Sequence, residues 1–124
     1  MKLLRILTIT LLFLLTFAVV SYAGEADVIG VEVKKTGEHT YTFIVTVSHT
    51  DQGWEHYTDK WDIVAPDDTV LDTRTLHHPH IDEQPFTRSM SGVKIPEGID
   101  SVTIRAHDSV HKYGGKTITI TLPH

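Results

Sequence analysis

The stretch "TLHHPHIDEQPFTRS", Thr75 to Ser89, places three histidines within four positions and follows them with two acids. Elsewhere "HDSVH" spaces His107 and His111 four apart, and "HTDQGWEH" brings His49 and His56 into one segment. Neutral imidazole offers a nitrogen lone pair to borderline transition metals with no charge of its own to neutralise. Three or four such donors arriving from separate segments are therefore the raw material of a metal site. The chain carries nine histidines among 124 residues.

Those donors need a scaffold, and its first segment is not part of it. Residues 1–23, "MKLLRILTITLLFLLTFAVVSYA", have Lys2 and Arg5 ahead of an apolar run and end on Ser21, Tyr22 and Ala23. That is the pattern of a secretory signal peptide cut after Ala23. The run is short for a spanning helix and carries threonines, which disfavours an uncleaved anchor. Residues 24–124 then form one domain, a periplasmic or secreted one. Losing the two basic residues takes the net charge from −5 to about −7. An acidic domain of this kind is unsuited to nucleic acid or to an anionic membrane after cleavage. With no cysteine there is no disulfide framework, so the core itself must hold the fold.

Period-two alternation dominates what remains. "DVIGVEVKK" sets Ile29, Val31 and Val33 on one face, and "YTFIVTVSH" sets Tyr41, Phe43, Val45 and Val47 inward. "DKWDIVA", "TVLDTRTL", "PFTRSMSGVKI", "SVTIRAH" and "KTITITL" continue the series, with Trp61, Ile63, Val102, Ile104 and Ala106 inward and Gly92 marking a bulge. Seven short strands between Gly, Pro and Asp turns predict an all-β, antiparallel sandwich of immunoglobulin-like or fibronectin-like type, with a barrel as the alternative.

Strands joined by turns reverse direction, so successive connections alternate between two ends. Parity then sends His49, His56, His77, His78, His80, His107 and His111 to one end, and His39 and His124 to the other. The predicted ligands are His49, His56, His78, His80, His107 and His111. His77 and His78 are neighbours and should face opposite ways, so at most one of them binds, and residues two apart, His78 and His80, should share a side. Glu55, Asp59, Asp82, Glu83 and Asp108 read either as turn-makers or as carboxylates that hold the far N–H of a ligating ring. Arg88 reads as a brace for one of them. Trp61, and Trp54 with it, should cap the core beneath the loops.

The mature chain has no thiolate, and its one methionine, Met90, lies midway along a strand, which excludes a blue-copper centre. An all-imidazole site suits copper(II) first and zinc second, with iron possible. A histidine brace built on an N-terminal His is excluded, because the mature chain would begin at Gly24. No serine sits in a strained Gly-x-Ser-x-Gly turn.

The segment from His49 through "TDQGWEHYTDKWDIV" resembles the loop and strand of the superoxide reductases, with His49, His56, Trp61 and Ile63 matching. The resemblance implies an immunoglobulin-like domain that binds iron through histidines and one cysteine, with His107 and His111 in the loop that supplies the remaining ligands. The cysteine is missing here, which removes the sulfur that such reduction uses. The leading expectation is an exported carrier, buffer or resistance protein for Cu(II) or Zn(II), whose partners are the metal ion and another periplasmic protein. The alternatives are a redox metalloenzyme of that architecture and a metal-free partner-binding module presenting Trp54, Tyr57 and Tyr113.

Overall fold

The computed structural model describes residues 24–124; the expected signal peptide lies outside the described residues. Seven strands follow in order: β1 (Asp27–Gly37), β2 (Thr40–Ser48), β3 (Thr58–Val64), β4 (Val70–Thr75), β5 (Phe86–Lys94), β6 (Ser101–Asp108) and β7 (Ile118–Thr121). They form two sheets, β1-β2-β5 and β4-β3-β6-β7, every pairing antiparallel. The fold is a β-sandwich, as the strand count and turn spacing predicted. No helix among the described residues is long and apolar enough to cross a membrane.

The core is what the alternation selects. On β2 every second residue is buried, and Phe43, Val45 and Val47 are wholly so. Trp61 and Ile63 of β3 meet them from the other sheet, with Val102 and Ile104 of β6 and Phe86 of β5 completing the cluster. Each such side chain contributes about 1.5–3 kcal/mol on leaving water. That apolar layer is the rigid base on which the end loops stand.

Two expectations about facing need correction. Ile29 is half exposed while Val28 is buried, because the β1–β2 register slips between Val28 and Gly30 and reverses the face. Trp54 is 68% exposed and caps nothing; its ring packs edge-on against Tyr57 instead. The bulge expected at Gly92 is present. Tyr41 pairs with Val93 and Phe43 with Met90, so two residues oppose one, and Gly92 holds φ 68°, where a side chain is strained.

Pairing registers fix which termini share an end. Asp27 pairs with Ser48, Val47 with Phe86, Thr58 with Asp108, and Lys60 with Thr75. The β2–β3, β4–β5 and β6–β7 connections therefore gather at one rim, with the start of β1 beside them. His39 and His124 line a groove at the opposite end with Tyr41, Ile95 and Leu122.

Candidate metal centre

At the crowded rim, three imidazoles converge on one carboxylate oxygen. Asp108 Oδ2 lies 2.7 Å from His56 Nε2, 3.0 Å from His49 Nε2 and 3.0 Å from His111 Nδ1. One donor atom each from His49, His56 and Asp108 can be chosen so that all lie within 4.8 Å of one another, and all three residues are buried. A cation bound at about 2.0–2.1 Å from each nitrogen needs ligand atoms no more than about 4.2 Å apart, so these side chains would have to adjust to hold one.

Local structure explains the convergence. His49 follows β2 directly, and the loop back to β3 turns at Gly53, whose φ of 109° suits glycine. Backbone bonds from Gln52 N–H to His56 C=O and from His56 N–H to Gly53 C=O close that loop and return His56 toward His49. On β6 the inward face runs Val102, Ile104, Ala106, Asp108. The same alternation that builds the core thus delivers the carboxylate. Asp108 and Lys112 exchange backbone bonds across the next turn, Lys112 taking φ 63°, and this brings His111 back over Asp108. The His111 backbone N–H also donates to Asp108 Oδ1.

The far side of two of the rings is held by an oxygen. His49 Nδ1–H donates to Asp51 Oδ1 at 2.5 Å, and His56 Nδ1–H donates to Gln52 Oε1 at 2.9 Å. Asp51 is itself buried and also accepts the N–H groups of Thr58 and His80. Gln84 ties the third loop in by accepting from His49 N–H and donating to His80 C=O.

These contacts dictate charge. An ionised carboxylate only accepts, so Asp51 requires the proton on His49 Nδ1. A neutral His49 would then aim the lone pair of Nε2 at two further acceptors, Asp108 Oδ2 and the Gly24 carbonyl oxygen 2.9 Å away. Such a contact is favourable only if a positive charge intervenes, as a second proton on the ring or as a metal ion. Burial pushes His49 down, but the hydrogen bond to Asp51 and the charges of Asp51 and Asp108 outweigh it and raise its pKa. Burial likewise pushes Asp108 up, but the hydrogen bonds from His111 and His56 hold it at about 2. Asp51 is also held below its ordinary value, its burial overcome by His49 and the His80 and Thr58 amides. Two buried carboxylates remain negative. Two protonated rings, or one divalent ion among three neutral rings, would balance them.

Of the six histidines predicted as ligands, His49, His56 and His111 meet here. The other three sit elsewhere. His107 projects from the opposite face of β6, where Asp59 Oδ1 accepts from its Nδ1 at 2.6 Å and Tyr113 packs edge-on against it. His80 stacks flat on Phe86 at 4.1 Å, and both its ring nitrogens are buried without a partner. His78 is exposed, with its ring centroid 4.7 Å from that of His80, the shared side expected of residues two apart. His77 is exposed. Arg88 does brace one of the acids named with it, Glu83, near the surface.

Asp108 was open between turn-maker and outer carboxylate in the sequence; its place is at the middle of the ring cluster. The signal was there, since it continues the inward register of Val102, Ile104 and Ala106. Asp51 and Gln52 carried no such signal, for loop residues have no period to read.

No family model matches the chain, and no solved structure matches it. A protein of Halomicrobium mukohataei named "Putative lipoprotein" is 36% identical over 96 residues, which cover 77% of this chain and 47% of that protein. The chain thus spans about half the length of this relative.

Proposed function

We propose that the protein is an exported metal-binding protein that holds one divalent transition-metal ion between His49, His56, His111 and Asp108, and that it works in metal carriage, buffering or resistance. The observation that carries this reading is the approach of three imidazole nitrogens to Asp108 Oδ2 at 2.7–3.0 Å. Two of those rings have their other nitrogen committed to an oxygen acceptor, which orients the lone pair and raises ligand basicity. Three nitrogens and one carboxylate oxygen, with no sulfur, suit copper(II) first and zinc(II) second by the order of divalent affinities. The His111 side chain is 35% exposed while those of His49 and Asp108 are fully buried, so the ion would enter and leave on the His111 side. An exported setting is supported by the leader-like residues 1–23 and by the relative's printed name, lipoprotein.

Purified without a histidine tag, the protein takes up one equivalent of Cu(II) or Zn(II) by calorimetric titration. At about a hundredfold excess over Kd the melting temperature rises by roughly 10 °C. The His49→Ala variant shows neither effect. Absence of uptake by the wild-type protein removes this function.

A further inference from the structure

The His49 ring has one neighbour that does not come from the histidine loops. Its Nε2, the atom 3.0 Å from Asp108 Oδ2, is also 2.9 Å from the carbonyl oxygen of Gly24. Gly24 is the first residue after the small-residue cut expected behind Ala23. Its place is built rather than incidental. Ala26 is buried, Val28 N–H donates to Lys116 C=O, and Lys116 N–H donates to Asp27 Oδ1. Gly115 makes room for this segment: a Cβ there would stand 1.9 Å from the Ala26 carbonyl oxygen, so only glycine lets the strand start lie so close.

We propose that export processing completes the metal centre: cleavage after Ala23 frees the α-amine of Gly24, which binds the ion together with the Gly24 carbonyl oxygen. The inference rests on the metal reading above. An α-amine nitrogen and the carbonyl oxygen of its own residue close a five-membered chelate on one cation. While the peptide bond to Ala23 stands, that nitrogen is an amide with no lone pair to give. After cleavage it is an ammonium with an ordinary pKa of about 7.7–8.0, and coordination releases one proton to solvent. The precursor would hold metal weakly, and the mature protein tightly, in the compartment where the leader has been removed.

The exported, processed protein is compared with a form retaining Ala23 and with an N-acetylated form, using Cu(II) as the probe. Mass spectrometry should give Gly24 as the first residue, and the two blocked forms should bind Cu(II) at least about tenfold more weakly. In protein labelled with 15N only at glycine, the Cu(II) electron paramagnetic resonance spectrum should show a 15N coupling that acetylation abolishes. Equal affinity of free and blocked forms, no 15N coupling, or a first residue other than Gly24 each overturns the inference and leaves the His–Asp site standing. Failure of every form, mature included, to bind Cu(II) or Zn(II) overturns both.

Discussion

Two buried carboxylates on neighbouring strands show how the same group is enclosed by fixed donors in one place and by imidazoles in another. Asp62 of β3 is 1% exposed and Asp108 at the end of β6 is 0% exposed. Asp62 accepts from Thr73 Oγ1 at 2.7 Å, Tyr113 OH at 2.6 Å and Arg105 Nε at 3.1 Å, with the Arg105 guanidinium also over the Tyr113 ring. All three are permanent donors, and Arg105 brings a permanent charge. Asp108 is met instead by imidazoles, which donate or accept according to where their protons are. Asp62 owns its counter-charge. Asp108 takes its counter-charge from protonated rings or, in the function proposed above, from a metal ion that His49 and His56, held from behind by Asp51 and Gln52, would share with it.

The contrast can be broken in order of expected effect. Asp108→Asn should weaken Cu(II) or Zn(II) binding at least about a hundredfold in calorimetric titration, because it removes the anionic oxygen at which the rings meet. Asp51→Asn leaves that oxygen in place and frees the His49 tautomer, so affinity should fall about 10–100-fold. Asp62→Asn should lower unfolding free energy by about 2 kcal/mol in denaturant titrations, since its partners are charged or strongly donating, while metal affinity stays unchanged. If Asp62→Asn abolishes metal binding, or Asp108→Asn leaves it intact, the division between the two acids is wrong.

Acidity sharpens the same division. Burial pushes the Asp62 carboxyl up, but bonds from Tyr113, Thr73 and Arg105 overcome it and hold the pKa below 3.8. A depressed carboxylate contributes stability that is present above the ordinary value and is lost as pH falls through the folded one. The difference in unfolding free energy between wild type and Asp62→Asn should therefore be flat from about pH 5 to 7 and shrink below about pH 4. Metal-bound protein should lose its ion on acidification, as protons compete with the metal for the imidazole nitrogens. The smallest effects belong to the histidines outside the cluster. His107→Ala and His78→Ala should leave metal affinity within about twofold of wild type, since neither ring reaches Asp108.

How far the sequence reached differs between fold and site for one reason, the presence or absence of a period. Alternation along Tyr41, Phe43, Val45 and Val47 tells which side of β2 is buried, because side chains on a strand must alternate. The bulge at Gly92 was visible for a similar reason, and the slip near Gly30 was not, so Ile29 was placed on the wrong face. Parity sent seven histidines to one end without any knowledge of which strands pair across sheets. Extending the β6 alternation by one step places Asp108 inward and His107 outward.

What the amino-acid sequence determined by itself is the set of strands, their inward faces and the rim at which the histidines collect. Those follow from local geometry and from the free energy of removing apolar side chains from water. The tertiary structure alone decided which imidazoles point at one another, that Asp51 and Gln52 hold two of them from behind, and that Gly24 lies at His49. Loops have no repeating direction, so their side-chain aim is set by hydrogen bonds between segments far apart in the chain, and only the folded state makes those.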